Sequence, residues 1–340
     1  SLKHGYSIDP FELNFICYMQ QNTAQASATQ LSVIVPVYNN GRFLTNKCMP
    51  SLQRNELWAE MEILLVDDGS TDQETLLTLE YLEAIYPNVR VKFNHDGGSG
   101  SASRPRNQGI DLASAPLITF LDPDNEISPG GYDLLMDLHR EANRLSTDPV
   151  EFVSGFHVKV AEDVKEIGKH TSKKLSIVKD FKKGYFERGR FPVIATQSAV
   201  ISKDFLDRNN IRFVEKSAGQ DTLFGWELIA KSKCGAFNDE AHIIYYADRT
   251  DSITNQVNVS YFKKKVILEE SQVEFLKSNG IFYCYMNAHF DNFMKNWYIK
   301  KLEKVSADDY QESIDCLRHI SNLYGKNIDI FLPSTHGKAN

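Results

Sequence analysis

Two carboxylates one residue apart, Asp122 and Asp124, are the residues of this chain best suited to hold a metal ion. They follow the apolar run 117–121, which has the composition of a buried strand. Ligands of open α/β sheets bind outside the carboxyl ends of the strands, where paired carboxylates can hold a hard divalent cation that also contacts substrate phosphates. Taken alone, however, an Asp-x-Asp pair is more often an ordinary Asp-rich turn, so the neighbouring segments must distinguish the two interpretations.

Polar or glycine-rich sequence also stands at the ends of the three preceding predicted strands, in segments 36–40, 67–70 and 95–107. An acidic residue at a strand end can accept a hydrogen bond from a ribose hydroxyl or a base N–H. Glycines let backbone N–H groups approach phosphate oxygens, and the helix that follows directs its positive end the same way. Arg104 or Arg106 could add a bidentate phosphate contact. The four segments together predict a nucleoside-diphosphate site.

The elements that must position these segments alternate between strand and helix, which predicts a doubly wound, mostly parallel α/β sheet. The predicted strands are 31–37, 62–67, 89–93 and 117–121. Helical spacing of apolar residues covers 43–53, a Ser/Thr/Asp cluster begins a helix that runs to about Ile85, and a third helix begins near Pro105. A dinucleotide oxidoreductase would need Gly-x-Gly-x-x-Gly after the first strand, which this chain lacks.

The second half of the chain does not continue this regular alternation of strand and helix. A helix is predicted at 132–145, strands at 152–160, 194–202 and 242–247, a helix from Gly219, and helical sequence from 260 to 324. We therefore divide the chain into an N-terminal appendage or linker (1–30), a catalytic domain (31–255), a C-terminal helical module (256–332) and a tail (333–340).

Composition excludes several classes of protein. The 340 residues carry a net charge of −7, which gives no reason to expect nucleic acid as a partner. Five widely spaced cysteines without Cys-x-x-Cys argue against a zinc site or disulfide framework and for a reducing compartment. Neither a signal peptide nor a membrane-spanning apolar run is visible, so we expect a cytoplasmic location, either free or at the inner face of the membrane.

One segment is basic although the chain is acidic. Residues 159–190 contain ten Lys or Arg and five Asp or Glu, a local balance of about +5. Such a segment either solvates a surface or attracts an anionic acceptor or a membrane surface.

Four motifs in register closely resemble family 2 glycosyltransferases with the GT-A fold. They are Val-Ile-Val-Pro-Val-Tyr-Asn (33–39), Leu-Val-Asp-Asp-Gly-Ser-Thr-Asp (65–72), Pro-Arg-Asn-Gln-Gly-Ile (105–110) and Phe-Leu-Asp-Pro-Asp-Asn (120–125), and the resemblance covers 31–250. Together with segment 216–224, the third motif is most similar to the polymer-decorating branch, which includes the enzymes that add GlcNAc to wall teichoic acid.

The resemblance implies an inverting transfer from a UDP-sugar donor with Mn²⁺ or Mg²⁺ as cofactor. Asp122 and Asp124 would bind the metal, which acts as a Lewis acid and template for the departing UDP. Asp68 would contact the uracil, and Arg106 would face the nucleotide or the diphosphate. The donor-binding residues that the resemblance implies are Pro36, Val37, Tyr38, Asn40, Asp68, Gly98, Arg106, Asp122 and Arg249.

The same resemblance makes Asp221 the general base, which would remove the acceptor hydroxyl proton as that oxygen attacks the anomeric carbon. An Asp at a helix start is also an ordinary N-cap, and that interpretation stays open here. The family commonly has Glu before this Asp, whereas this chain has Gln220, and Asn125 stands where a further Asp is frequent. These two departures keep a second hypothesis open, a non-catalytic nucleotide-sugar-binding scaffold in a glycan-assembly complex.

The expected acceptor is a hydroxyl of a cell-surface glycan, glycopolymer or glycoprotein, with anionic acceptors included. The expected donor sugar is a hexose or N-acetylhexosamine. The sequence has no transferable code for either sugar. The helical module and the basic segment are our candidates for contacts with the acceptor.

Overall fold

The structure is a computed structural model that describes residues 28–160, 174–246 and 257–334. Its centre is one mixed sheet in the order β3-β2-β1-β4-β8-β6-β9-β5, with β7 paired to β9. The strands are β1 Leu31–Val37, β2 Met61–Asp67, β3 Val89–Lys92, β4 Leu117–Phe120, β5 Glu126–Ile127, β6 Phe152–Val160, β7 Leu175–Lys179, β8 Ala199–Ser202 and β9 Cys234–Tyr246.

The half of the sheet nearest β3 is parallel, since β1 pairs in parallel with β2 and β4, and β2 pairs in parallel with β3. Every residue of β1, β2 and β4 is buried, because helices cover both faces of these apolar strands. The predicted α/β class and the parallel arrangement of these four strands are confirmed. The carboxyl ends of these strands meet at one edge of the sheet, where the motif segments begin.

The other half of the sheet was predicted less well. The strand predicted at 194–202 begins only at Ala199, because a 3₁₀ turn, Thr196–Ser198, precedes it and Ser198 N donates to Ala195 O. The strand predicted at 242–247 begins eight residues earlier, at Cys234, since its first half pairs antiparallel with β7. Both β5 and β7 were missed, because β5 has two residues and β7 is a half-exposed strand inside the basic segment.

The helices lie on both faces of the sheet and beyond its end. They are α1 (41–53, with a π-helical middle at Leu44–Cys48), α2 Gln73–Ile85, α3 Ser103–Leu112, α4 Gly131–Leu145, α5 Phe181–Gly184, α6 Lys203–Arg208, α7 Gln220–Lys231, α8 Val259–Ser278, α9 (282–302, with π-helical turns at Met286–Phe290 and Met294–Ile299) and α10 Ala307–Leu323. The side chain of Asp72 caps α2 by accepting from Thr75 N at 3.2 Å, as the Ser/Thr/Asp cluster predicted.

The C-terminal helices share a hydrophobic core with the sheet. One buried cluster joins Phe120 of β4 and Phe224 of α7 to Phe262 of α8, Tyr298 of α9 and Leu317 of α10. A second cluster covers the opposite face of the sheet. Helices α8 to α10 are therefore packed against the sheet through one continuous apolar interior, which fixes their position relative to the strand ends.

Parts of the predicted appendage (1–27), of the basic segment (161–173) and of the tail (335–340) lie outside the described residues. Within the three described ranges, no helix combines the length and apolar character needed to cross a membrane.

Candidate active site

The loops after β1 and β2 are joined by hydrogen bonds. Asp68 N donates to Val37 O at 2.8 Å, continuing the strand pairing by one residue. Asn39 has a left-handed backbone (φ 52°) that Asn tolerates better than most residues, and its Oδ1 accepts from Thr71 N and Asp72 N, both at 2.9 Å. The first two motif segments therefore form one rigid unit.

Tyr38 lies at the mouth of this unit and contacts the glycine-rich loop. Its hydroxyl donates to Gly97 O at 3.1 Å, while much of the side chain remains exposed and its backbone N–H donates to Asn40 Oδ1. Gly98 has φ +112°, and a Cβ there would lie 2.9 Å from the Tyr38 ring. Glycine is thus required at 98 for conformation and for space. Pro36 and Val37 themselves are buried in β1.

Asp68, the residue predicted to contact the uracil, is buried and already has several donors. Its carboxylate accepts from Ser99 N at 3.0 Å, from Ser99 Oγ at 2.7 Å and from Arg104 Nε at 2.8 Å. The other two nitrogens of Arg104 bond Asp96, and these bonds lower the pKa of Asp96 to about 2. Two carboxylates, Asp68 and Asp96, therefore hold the Arg104 guanidinium.

Arg106 joins two site residues that are far apart in sequence. Its Nη2 donates to Asp122 Oδ1 and its Nη1 donates to Asp221 Oδ1, both at 2.9 Å. The residue is only 3% exposed and its guanidinium lies 5.3 Å from the centre of the Phe213 ring. Burial alone would lower the pKa of Arg106, but the charges of Asp221 and Asp122 raise it above its ordinary value. Arg106 therefore holds the end of β4 against the start of α7.

The structure tests the N-cap interpretation of Asp221. Gly219, with φ +76°, is the N-cap of α7, and Asp221 is the second residue of the helix. The N-cap interpretation of Asp221 is thus wrong. Its side chain is 46% exposed and paired with Arg106, so it is held in place while still open to solvent.

Gln197 belongs to this site and was not predicted. Its Oε1 accepts from Asp122 N at 2.8 Å and from Asn125 Nδ2 at 3.0 Å, and its Nε2 donates to Asp122 Oδ2 at 3.2 Å. Nothing local in the sequence marks this residue, because its role depends on the 3₁₀ turn that brings it beside β4. Asn125, a departure from the family pattern, helps to hold the Asp122–Asp124 turn in shape through Gln197.

The carboxylates of Asp122 and Asp124 are both partly exposed and suit a hard divalent cation. Burial raises the pKa of the Cys48 thiol, and the negative charges of Asp122 and Asp124 raise it further. Among the described residues, no three or more His, Cys, Asp or Glu side chains are grouped as a complete metal site. Arg249, the last predicted donor-binding residue, lies outside the described residues.

Comparison with known proteins agrees with this architecture. The family model for glycosyl transferase family 2 matches residues 32–209, which is more than half of the chain. A β-1,3-glucosyltransferase of Campylobacter jejuni, named for its GalNAc(5)-diNAcBac-PP-undecaprenol substrate, is 28% identical over 285 residues, which cover 79% of this chain and 84% of that protein. The poly(ribitol-phosphate) β-N-acetylglucosaminyltransferase TarP of Staphylococcus aureus is 27% identical over 225 residues, which cover 60% of this chain and 58% of TarP.

The fold is shared with a solved structure. Residues 1–349 of S. aureus TarS, solved with UDP-GlcNAc, match with a TM-score of 0.64 at 20% identity, over 89% of this chain and 84% of that one. The chain spans only about a third of the length of two further curated relatives, 32% and 33%. The chain belongs to glycosyl transferase family 2, in the branch that resembles the wall teichoic acid GlcNAc transferases, and has the GT-A fold.

Proposed function

We propose that this chain is a metal-dependent, inverting glycosyltransferase that moves a hexose or N-acetylhexosamine from a UDP-sugar to a hydroxyl of a cell-surface glycan, glycopolymer or glycoprotein. The single observation that carries the proposal is the pair of bonds from Arg106 to Asp122 and Asp221. A carboxylate beside the donor loops and a solvent-open carboxylate at a helix start are thereby held on either side of one guanidinium.

Asp221 acts as the general base in this proposal. Its exposed carboxylate receives the proton of the acceptor hydroxyl while that oxygen attacks the anomeric carbon from the face opposite UDP, which inverts the configuration. Arg106 orients the base and contributes positive charge near the diphosphate. Because the guanidinium is fixed by two carboxylates and by Phe213, it needs no rearrangement as negative charge develops on the leaving group.

The donor lies in this proposal against the joined loops after β1 and β2. The exposed face of Tyr38 is placed to pack on the uracil, and the glycine-rich loop at Gly98 presents backbone N–H groups to phosphate. Asp68 would exchange one of its present donors for the base N–H. Asp122 and Asp124 would hold Mn²⁺ or Mg²⁺, whose chemistry is to neutralise the departing UDP.

The acceptor side of the proposal draws on the relatives. TarP is named for a poly(ribitol-phosphate) acceptor, and the C. jejuni relative for a lipid-linked glycan. The two names describe a polyol-phosphate polymer and a lipid-linked oligosaccharide, and the first of these is anionic. We therefore propose an acceptor of that class, met on the cytoplasmic side, with contact to a membrane surface as a further part of the proposal.

The experiment that tests this function measures UDP release from UDP-Glc, UDP-Gal, UDP-GlcNAc and UDP-GalNAc in the presence of Mn²⁺. We expect turnover with at least one donor and a loss of roughly 10²- to 10⁴-fold in Asp221→Asn, which removes the base but keeps the side-chain size. Asp204→Asn is the matched control, since Asp204 is also an arginine-paired aspartate in the first turn of a helix, and it should retain full activity.

Two outcomes would contradict the proposal. Binding of a UDP-sugar without release of UDP would favour the non-catalytic scaffold. Full turnover in excess EDTA would rule out the metal assignment, while leaving the transfer reaction itself in place.

A further inference from the structure

Lys265 is a buried cation without an acceptor. The residue, in α8, is 7% exposed, and it makes no hydrogen bond or ion pair with any residue in the described ranges. Burial, together with the nearby charge of Lys301, lowers the pKa of Lys265, while Glu269 opposes this effect. A largely buried ammonium without a hydrogen-bonded acceptor is costly to maintain, so its presence points to an anionic ligand that completes the site.

The ammonium of Lys265 points to the start of the helix that carries Asp221. A Cβ on Gly219 would lie only 2.5 Å from Lys265 Nζ, so glycine at this N-cap leaves the space that the ammonium needs. Helix α7 has twelve residues and directs its unpaired N–H groups and positive end to the same place. Lys265 and the helix start are thus two independent sources of positive potential close to the proposed base.

Aromatic rings continue this site along α8 and α9. Lys265 Nζ lies 5.8 Å from the centre of the Tyr261 ring, and Lys301 Nζ lies 5.2 Å from Tyr261 and 4.6 Å from Trp297. Trp297 Nε1 donates to Tyr261 Oη at 2.9 Å, which fixes the two rings relative to each other. Trp297 is 44% exposed and is supported from below by the stacked ring of Phe293. The half-exposed indole lies beside the Lys301 ammonium and is joined through Tyr261 to the Lys265 ammonium. This arrangement suits a ligand that is part sugar and part anion.

We propose that Lys265, Lys301, Tyr261 and Trp297 form an acceptor subsite that binds a phosphate-bearing sugar or polyol unit next to Asp221. The inference rests on the proposed function, because it assigns this site to the acceptor of that reaction. The phosphate is held by the lysines and by the start of α7, and the carbon skeleton packs on the exposed face of Trp297. The donor diphosphate has its own contacts at the glycine-rich loop and Arg106.

The neighbouring residue supports this division between donor and acceptor. Lys264 Nζ donates to Gly100 O at 2.6 Å and so attaches α8 to the glycine-rich loop. Lys265 is turned about 100° from it around the helix and contacts α7 instead. Helix α8 therefore lies between the proposed donor side and the proposed acceptor side of the site. Lys264 contacts the glycine-rich loop on the donor side, and Lys265 lies at the start of α7, near Asp221.

The test is a fluorescence titration of the whole chain with glucose 6-phosphate and, in parallel, with glucose. Trp297 is the exposed member of three tryptophans, so a sugar phosphate bound there should change the emission in a saturable way, and glucose should bind on the order of tenfold more weakly. Lys265→Met and Lys301→Met should each weaken glucose 6-phosphate binding by about tenfold, and Trp297→Phe should remove the signal. Lys277→Met is the matched control, because Lys277 also lies over an aromatic ring of α8–α9, at 5.2 Å from Phe282, and it should change nothing.

Each remaining result overturns the subsite or reassigns it. Equal binding of glucose and glucose 6-phosphate, or unchanged binding in both lysine variants with unaltered melting temperatures, would overturn it. A raised KM for the UDP-sugar in Lys265→Met would place this lysine at the donor diphosphate instead. A chain that binds glucose 6-phosphate as described but releases no UDP would contradict the proposed reaction and leave the anion site standing.

Discussion

Two buried charged centres, one at the strand ends and one among the C-terminal helices, are built in opposite ways. Arg106 is 3% exposed, and its two partners, Asp122 and Asp221, are carboxylates that reach solvent. Glu269 is 2% exposed, and its carboxylate accepts from the hydroxyls of Tyr298 at 2.6 Å and Tyr324 at 2.5 Å and from Gln272 Nε2 at 3.1 Å.

The difference separates a centre that can react from one that stabilises the fold. At the first centre the Arg106 guanidinium is buried and fixed in place. The carboxylates of Asp122 and Asp221 are partly exposed and can exchange partners with a ligand. Around Glu269 every donor is itself buried, so no ligand can reach the carboxylate and no donor can leave without exposing a buried charge. The first centre should therefore control activity, and the second should control stability.

The sharpest test of this comparison replaces Arg106 by Lys. The charge is kept, but a lysine cannot bond Asp122 and Asp221 at once with a planar fork, so the base loses its fixed position. We expect kcat to fall by about a hundredfold, since misplacement of a catalytic group by about 1 Å has an effect of that order. Arg212→Lys is the control, because Arg212 also bridges two aspartates, Asp111 and Asp207, away from the site. Equal losses in both variants would mean that the Arg106 bridge is structural.

The second test concerns the other centre. Glu269→Gln keeps the shape but removes the charge that accepts the two tyrosine hydroxyls, so we expect the free energy of unfolding to fall by about 1.5–3 kcal/mol. The kcat per folded molecule should be unchanged, and chemical denaturation together with the UDP-release assay would measure both. Glu270→Gln changes the next residue, which is exposed and paired with His319, and should alter stability by less than about 0.5 kcal/mol. A fall in kcat without a fall in stability would contradict the assignment of Glu269.

The sequence alone was sufficient to predict the parallel half of the sheet, because the signals for these strands and helices lie within each segment. Strands β1, β2 and β4 are apolar runs buried on both faces, and the Asp72 cap sits at the start of α2, so composition and position in the chain agree. Strand β7 is half-exposed and lies in a basic segment, and β5 is held by its pairing with β9. Such strands carry no internal pattern that could reveal them.

The site divides in the same way. The Asp pair, the glycine-rich loop and Asp221 were predicted as site residues because a short motif marks each of them. Gln197 and the bridge made by Arg106 were not found, because Gln197 reaches Asp122 across 75 positions and Arg106 reaches Asp221 across 115. Contacts over that distance depend on tertiary packing, which no single motif encodes.

The smallest expected effect concerns the buried centre around Glu269 and the way its contribution to stability depends on pH. Burial and the charge of Glu269 raise the pKa values of Tyr298 and Tyr324 well above 10, whereas tyrosines of an unfolded chain ionise near 10. The folded state then keeps protons that the unfolded state releases, so this stabilisation is complete below pH 10 and is lost as the pH rises above it, by up to about 1.4 kcal/mol per pH unit for each tyrosine. Tyr298→Phe should lower the free energy of unfolding at every pH, because Glu269 loses a donor. Between pH 10 and 11, however, the free energy of unfolding of this variant should fall less steeply than that of the wild type, by about the contribution of one tyrosine. Tyr283→Phe removes a hydroxyl from a ring that is 77% exposed in the folded chain and is the surface control. Equal pH slopes of stability in wild type and Tyr298→Phe would show that water reaches Tyr298. The contrast between the partly exposed Arg106 centre and the buried Glu269 centre would then fail.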